Sequence, residues 1–317
     1  MAVTIRDVAR QAQVSVSTVS RALSAPGLVK DATRQRVLDV AAGLGYRPNR
    51  AARSLITGRT GNLGIVVPDL TNPFFPSVLR GVQTRAGEAG ASVFFCDSRE
   101  DPATEAELVR TMAAQVDGVV LCASLLCEEM IVELTALTPL VLINRVVPGV
   151  SSVLMDSASG TDQVVAHLES LGHRHFAYLG GPAAAWSNDR RLQGLAGRAE
   201  VLGCFDPNFG GGHEAAGRAL ETGATAFIAY NDLMALGVLS FLAARGVQVP
   251  EQISVPGFDD ILYAAMCSPA LTTVHMPTED AGEVAVDLLA ALLDGGPVER
   301  RDLPTNLVVR ASTAAPI

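Results

Sequence analysis

Hydroxyl and arginine side chains that could contact nucleic acid are concentrated at the start of the chain, in TIRDVARQAQVSVSTVSRAL. Ser17, Thr18, Ser20 and Arg21 would share the outer face of a helix over 16–24. Hydroxyls can bond phosphates, and a guanidinium can bond guanine O6 and N7 together. The pattern favours a helix that lies in the DNA major groove. The alternative at this point is an ordinary three-helix bundle whose Ser-rich helix is merely capped.

A second set of polar side chains follows apolar runs in the rest of the chain. Ligands of parallel sheets bind at the carboxyl ends of strands, where these residues would lie. Carboxylates, amides and one arginine suit a neutral polyol, and nearby aromatic rings would supply apolar faces. Asp or Asn after a strand is often only a helix cap, which is our expectation for Asp232 and Asp260. The polar candidates are Asp69, Asn144, Arg191, Asn231 and Asp259, and the aromatic ones are Phe74, Phe75, Trp186 and Phe205.

The sequence contains few of the residue patterns that are typical of active sites. The segment GGPAAA lacks the Lys-Ser/Thr of a phosphate-binding loop, and the five histidines form no HExxH. Ser124 and Ser240 stand in no nucleophile elbow. The five cysteines include no CxxC pair, and we expect Cys96 and Cys122, inside apolar runs, to be buried. We therefore predict no cofactor, no metal and no enzymatic activity, which leaves an α/β enzyme as a weak alternative.

Charge divides the chain into a basic head and an acidic body. Residues 1–60 hold ten Lys/Arg and three Asp/Glu, a net charge of +7, whereas the remainder holds 14 basic and 30 acidic residues, a net charge of −16. This asymmetry predicts a polyanionic partner for the head alone. The chain opens without a signal-peptide pattern and has no apolar run long enough to span a membrane, so we expect a cytoplasmic protein.

The elements that position these residues follow from capping and periodicity. Thr4 and Asp7 predict the start of a first helix, Ser15 caps the second, and a third runs from about Asp31 to Leu44. Eight short apolar runs then predict buried parallel strands in a doubly wound sheet, with a boundary between two lobes near Asp156. These runs are LGIVVPD, ASVFFCDS, GVVLCAS, PLVLIN, SSVLMD, FAYLGG, TAFIAYND and ISVPGFDD.

Two features of the second lobe are unusual. The connection after RRLQG is short, and its tightest solution is a helix over 189–196 that ends at Gly197, followed by a strand over 201–205. Pro256 also lies within the predicted strand ISVPGF, where proline is uncommon.

The motifs together resemble the lactose-repressor (LacI/GalR) family of bacterial transcription regulators. The head, GYRPNRAARSL, NLGIVVPDLTNPFF, LGHRHFAYLGGP, AYNDLMALGVL, GFDD and PALTTVHMP all occur at family-like places. The resemblance implies an α plus α/β protein, with a helix-turn-helix head (1–46), a hinge helix and linker (47–61) and a two-lobed, periplasmic-binding-protein-like body of doubly wound parallel sheets. The lobes would comprise 62–156 plus 277–303, and 157–276 plus 304–317.

The resemblance also implies a function. The chain would be a repressor that binds a pseudo-palindromic double-stranded DNA operator as a homodimer or higher oligomer, gated by a sugar or nucleoside-like effector. Base edges would be contacted by Val16, Ser17 and Arg21, and phosphates by Thr4, Ser15, Thr18, Ser20 and Thr33. Valine at 16 could equally pack inward. Asn49 would cap a hinge helix whose Leu55 enters the minor groove.

Effector contacts are implied at Phe74, Phe75, Asn144, Arg191, Phe205, Asn231 and Asp259, and the residues themselves add Asp69. A solute-binding protein is the alternative function. Such a protein would share the body, but it should carry a secretory signal and no basic helical head.

Overall fold

The computed structural model describes residues 3–24, 26–46 and 58–317, which belong to two compact units, 1–60 and 61–317. The predicted hinge helix, with Asn49 and Leu55, lies outside the described residues. Within the described ranges, no helix is both long and apolar enough to cross a membrane.

The head contains three helices around a small apolar core. Helix α1 is Ile5–Ala12, α2 is Val16–Ser24, and α3 is Asp31–Gly43, with a 3-10 turn at Pro26–Leu28. The helices pack on one another because each buries an apolar stripe. The buried residues are Val8, Ala9, Ala12, Val19, Ala22, Val37 and Ala41.

The helix starts in the head are those that the sequence predicts. The Asp7 carboxylate accepts from the backbone N of Thr4 at 3.0 Å and from its hydroxyl at 2.7 Å. The Ser15 hydroxyl accepts from the backbone N of Thr18 at 3.1 Å. These bonds satisfy donors that each helix start leaves open, and they confirm the predicted boundary between α1 and α2.

The first lobe of the body is built on a six-stranded parallel sheet in the order β11-β5-β4-β3-β1-β2. Helices cover both faces, as buried parallel sheets require. The strands are β1 Asn62–Val67, β2 Ser92–Asp97, β3 Gly118–Cys122, β4 Leu140–Ile143, β5 Ser151–Met155 and β11 Arg300–Leu303, and the helices are α4 Phe74–Glu88, α5 Pro102–Ala113, α6 Glu128–Thr135 and α12 Thr278–Leu293.

Helices α4 and α12 approach each other closely because glycines face the crossing. A Cβ at Gly81 would lie 1.9 Å from the carbonyl oxygen of Glu279, and one at Gly282 would lie 2.3 Å from that of Val78. No side chain larger than hydrogen fits at either position without a shift of the backbone. The crossing fixes α4, whose first turn carries Phe74 and Phe75.

The second lobe contains two three-stranded sheets, β7-β6-β8 and β12-β10-β9, in which only the β10–β12 pair is antiparallel. The chain passes between the lobes after β5, after β10 and after β11. The strands are β6 Phe176–Gly180, β7 Glu200–Cys204, β8 Ala226–Ala229, β9 Pro256–Asp259, β10 Thr272–His275 and β12 Asn306–Val308, and the helices are α7 Ser157–Ser170, α8 Trp186–Leu195, α9 Phe209–Ala219, α10 Asp232–Ala244 and α11 Leu262–Met266, with a 3-10 turn at Leu220–Thr222.

Pro256 explains why these strands form two sheets. The backbone N of Ser254 donates to Thr225 at 3.0 Å, and the backbone N of Phe227 donates to Ser254 at 2.9 Å. The next rung of this ladder would need an N–H at residue 256, which proline lacks. Pairing with β8 therefore ends there, and Pro256 becomes the first residue of β9 at the edge of the other sheet.

The structure corrects three details of the sequence analysis. Strand β2 is not buried, because it lies at the edge of its sheet with Phe94 43% and Phe95 51% exposed. Cys96 in this strand is accordingly only half-buried, whereas Cys122 is buried as predicted. Helix α8 begins at Trp186, three residues before the predicted start, which gives the short connection enough helix to cross over to β7.

Candidate DNA-binding head and ligand cleft

The outer face of α2 presents the predicted contact residues to solvent. Ser17 and Arg21 are exposed, and Thr18 and Ser20 are half-buried. Val16 is 42% exposed, so it does not pack into the core of the head. The Ser15 hydroxyl lies 2.8 Å from the hydroxyls of both Ser17 and Thr18, which forms a hydroxyl cluster at the start of the helix. A helix N-terminus with hydroxyls is a favourable site for a phosphate.

A cleft lies between the lobes, at the carboxyl ends of strands from both of them. Asn144 follows β4 from the first lobe, and Asp259 ends β9 from the second. The cavity volume is about 60 Å³, room for a few water molecules. The lining residues are Pro68, Asn72, Phe74, Phe75, Glu100, Ala123, Leu125, Asn144, Pro182, Ala185, Trp186, Ser187, Arg191, Pro207, Tyr230, Asn231 and Asp259.

Arg191 and Asp259 form a buried pair in the wall of the cleft. An Nη of Arg191 lies 3.5 Å from Oδ1 of Asp259, and the two side chains are 4% and 7% exposed. The guanidinium stacks between the rings of Tyr230 and Phe258, 4.4 Å from each ring centroid, and donates to the backbone carbonyl of Tyr230. Its Nε is buried and has no hydrogen-bond partner among the described residues.

Burial controls the ionisation of the carboxyl in this pair. Loss of hydration raises the pKa of Asp259 to about 7, and the Arg191 cation beside it limits the rise. Asp259 therefore releases its proton at a higher pH than an exposed aspartate does.

Several residues that line the cleft adopt left-handed backbone conformations without being glycine. The φ angles are +58° at Glu100, +48° at Ala123, +55° at Asn144 and +108° at Asp259. Such conformations cost about 1–3 kcal/mol each and persist where the surrounding structure holds them. Their concentration at the strand ends marks the cleft as a functional site.

Comparisons with known proteins agree with this geometry. Residues 4–49 match the family model described as "Bacterial regulatory proteins, lacI family", and residues 165–313 match a periplasmic binding protein-like domain. The HTH-type transcriptional regulator DegA of Bacillus subtilis is 31% identical over 99% of this chain and 99% of that protein. The ribose operon repressor of Halalkalibacterium halodurans is 32% identical over 98% of this chain and 97% of that protein.

The chain belongs to the lacI family. A crystal structure of the lac repressor dimer, bound to operator and an anti-inducer, matches it with a TM-score of 0.86 at 29% identity and covers 99% of this chain and 100% of that one. The chain is thus a DNA-binding transcription regulator with a helix-turn-helix head, not an enzyme, and the predicted fold class is confirmed.

Six predicted effector residues of this lacI-family chain lie together in the cleft. The rings of Phe74 and Phe75 are perpendicular, with centroids 5.1 Å apart. Asn231 caps α10, since its Oδ1 accepts from the backbone N of Met234 at 2.9 Å, and its Nδ2 donates to Pro207 at 2.8 Å. The complete set is Phe74, Phe75, Asn144, Arg191, Asn231 and Asp259.

Two predicted effector residues do not line the cleft. The Asp69 carboxylate accepts from the backbone N and hydroxyl of Thr71, so it stabilises the turn after β1. Phe205 is 6% exposed in the core of the second lobe, with Arg218 5.0 Å above its ring. Asp69 was predicted from its position after an apolar run and Phe205 from the family resemblance. The local turn directs the first side chain elsewhere, and core packing the second.

The two expected helix caps have other roles. The Asp232 carboxylate is buried and accepts from Ile261 N at 3.0 Å and from Thr273 Oγ1 at 2.6 Å. Asp260 forms an ion pair with Arg310 at 2.6 Å rather than a cap. Sequence spacing could not predict these contacts, because each joins segments distant along the chain.

Part of the cleft wall could not be predicted from the sequence. Tyr230 precedes Asn231 directly, and its hydroxyl lies 2.8 Å from that of Ser187. Glu100 lies in the loop after β2, where burial and the carboxylates of Asp69 and Asp206 raise its pKa. In the sequence, the position of Tyr230 directly before Asn231 was the one indication that it lines the cleft. No group of three metal-binding side chains occurs within residues 3–24, 26–46 and 58–317.

Proposed function

We propose that the chain represses transcription by binding a pseudo-palindromic operator as a homodimer, and that a small polar effector in the cleft controls this binding. The observation that carries the proposal is the combination, in one chain, of an exposed hydroxyl-and-arginine face on α2 with the Arg191–Asp259 pair in an interlobe cleft. The first feature suits operator DNA and the second a hydrogen-bonding ligand.

In this proposal, side chains of the head divide into two kinds of contact. Val16, Ser17 and Arg21 read base edges in the major groove, and Arg21 bonds a guanine. The phosphates are bound by Thr4, Ser15, Thr18, Ser20 and Thr33. From outside the described residues, Asn49 caps the hinge helix and Leu55 enters the minor groove. Because one head reads few base pairs, a two-fold dimer on matched half-sites supplies the specificity.

Apolar surface on the second lobe supports dimerisation. Phe209 and Tyr263 are each 49% exposed, and Leu262 and Met266 are each 70% exposed. Of these, Phe209, Tyr263 and Met266 form with Leu236 an apolar patch of a kind that marks interaction surfaces. The exposed rings of Phe94 and Phe95 on the edge strand β2 provide a further contact surface in the first lobe.

The effector is a neutral polyol such as a sugar or nucleoside. Asp259 accepts from its hydroxyls, Arg191 and the amide of Asn144 complete the polar contacts, and Phe74 and Phe75 cover its apolar face. The relative named ribose operon repressor makes D-ribose the first candidate.

Gating follows from the position of the cleft. Residues of both lobes line it, so a bound effector contacts both lobes and favours one angle between them over others. The effector therefore changes the angle between the first lobe (62–156 plus 277–303) and the second (157–276 plus 304–317). The linker 47–61 transmits this change to the head 1–46. We place the protein in the bacterial cytoplasm, where operator DNA is found.

Selection from random duplexes tests the DNA half of the proposal. The full chain should retain an inverted repeat, and affinity should fall steeply with salt because each phosphate contact releases about 0.9 counterion. A pool without inverted repeats would contradict operator binding as a two-fold dimer. Fluorescence of Trp186, the single tryptophan and a residue of the cleft wall, tests the effector half in a screen of sugars and nucleosides.

A further inference from the structure

The turn that directs Asp259 into the cleft has an unfavourable backbone. Asp259 and Asp260 are consecutive residues with φ of +108° and +55°, and neither is glycine. Two such residues in a row require contacts that hold them. The residues that make those contacts therefore fix the position of the Asp259 carboxylate relative to Arg191.

Asp260 supplies most of these contacts. Its Oδ1 accepts from Nη2 of Arg310 at 2.6 Å, and its Oδ2 lies 3.1 Å from Nδ1 of His275. Its backbone N donates to Thr273 Oγ1 at 3.3 Å. The side chains of Asp260 and Arg310 are 17% and 20% exposed, so water screens this ion pair only weakly.

Arg310 is itself fixed at three points. Its backbone N donates to Thr272 Oγ1 at 2.9 Å, and its Nη1 donates to the carbonyl of Leu271 at 2.8 Å. With the bond to Asp260, these contacts join the segment after β12 to the turn after β9. The guanidinium therefore cannot rotate away from Asp260 without also losing its bond to Leu271.

Asp232 secures the residue that follows the turn. Its Oδ2 accepts from the backbone N of Ile261 at 3.0 Å, and its Oδ1 accepts from Thr273 Oγ1 at 2.6 Å. Thr273 thus links Asp232 to the backbone of Asp260. The turn is held from both sides, and only Asp259 faces Arg191.

We propose that Asp260 and Arg310 are positioning residues for effector recognition. Their ion pair holds the left-handed turn that aims the Asp259 carboxylate at Arg191 and at the ligand. The C-terminal segment after β12 is then part of the effector site although it does not line the cleft. This inference rests on the proposed function of the cleft, but its first test does not.

Hydrogen exchange of the unliganded full chain tests whether the ion pair holds the turn. Arg310→Met removes the charge and keeps the stem, and it should speed exchange of the Asp260 and Ile261 amides at least about tenfold. Arg310→Lys, which retains the charge, should give exchange rates between those of the wild-type chain and those of Arg310→Met. Arg300→Met is the matched control, because Arg300 pairs with Asp302 at the surface and does not contact the turn. Unchanged exchange at Asp260 and Ile261 in Arg310→Met would overturn the proposal whatever the cleft binds.

A double-mutant cycle tests whether the ion pair acts through Asp259. With D-ribose as the probe and Trp186 fluorescence as the signal, Arg310→Met should weaken binding about tenfold in the wild-type background but less than about twofold in Asp259→Asn. Equal losses in both backgrounds would show a merely structural role and contradict the proposal. Should Arg310→Met fail to fold, Asp260→Asn takes its place in the cycle.

The two tests separate the inference from the proposed function. Failure of the wild-type chain to respond to any sugar or nucleoside would count against the effector proposal. The exchange measurement would still decide whether Arg310 and Asp260 position Asp259.

Discussion

The Arg191 guanidinium lies 3.5 Å from the Asp259 carboxylate, and both side chains are more than nine-tenths buried in the cleft wall. Because Arg191 also stacks between Tyr230 and Phe258, it cannot follow a ligand far from this position. The pair is thus a fixed donor and acceptor against which a ligand must fit.

Asp259→Asn tests the role of this acceptor. The substitution keeps the size of the side chain and removes the charge that strengthens bonds from sugar hydroxyls, worth about 1.5–3 kcal/mol per bond. We expect effector affinity to fall tenfold or more, measured by calorimetry, while effector-free operator affinity stays within about threefold. Normal ligand binding combined with loss of operator binding would make Asp259 a structural residue.

The raised pKa of Asp259 predicts a pH dependence of stability. The folded protein holds this proton up to pH of about 7, whereas the unfolded chain releases it near 3.8. The favourable contribution of protonated Asp259 is therefore complete below pH 3.8 and is lost as the pH rises through 7. The melting temperature of the wild-type chain should fall relative to that of Asp259→Asn between pH 4 and 7. A constant difference would mean that Asp259 is ionised throughout this range.

Arg21→Ala tests base recognition by α2. We expect a loss of about 1–3 kcal/mol against the selected operator and relaxed preference at one base pair per half-site. Arg10→Ala is the matched control, because Arg10 is an exposed head residue paired with Asp7 on α1. A uniform loss over all sequences for Arg21→Ala would instead identify a phosphate contact.

Met266→Glu tests the apolar patch of the second lobe. A charge at a side chain that is 70% exposed should cost the monomer little stability but should disfavour burial against a second copy. Sedimentation equilibrium should then yield the 33.1 kDa monomer where the wild-type chain yields twice that mass. Val132→Glu, at an exposed apolar residue of α6, should leave the dimer intact. A dimeric Met266→Glu would place the interface elsewhere.

Leu55→Gly tests the hinge. Loss of the apolar side chain and a helix penalty of about 1 kcal/mol should abolish operator bending and preference for the central base step, while non-specific affinity remains. The mobility of bent DNA complexes in gels measures the bend angle. An unchanged bend angle in Leu55→Gly would show that Leu55 belongs to an ordinary linker.

Sequence alone predicted the head helices and strands β1 to β9, but not strands β10 and β11 or the long-range contacts. The Thr4–Asp7 and Ser15 caps are local hydrogen bonds, so spacing was sufficient to find the head helices. The strands were predictable because parallel strands read as continuous apolar runs. The exposed β2 had the same composition, and only its place at the edge of the sheet distinguishes it.

The site was predicted where strand ends decide the position of a side chain, as at Asn144 and Asp259. It was missed where a turn or a distant segment decides. Asp69 bonds its own turn, and Asp260 meets Arg310 fifty residues later in the chain. Contacts of this second kind depend on the tertiary fold and leave no periodic signal.

The central claim is that effector and operator binding are coupled, and coupling must be reciprocal. The most direct measurement titrates the selected operator with and without the sugar that changes Trp186 fluorescence most, and that sugar with and without operator. We predict that the sugar changes operator affinity by at least about fivefold and that operator changes sugar affinity by the same factor. Operator affinity that is independent of a bound sugar would contradict the account.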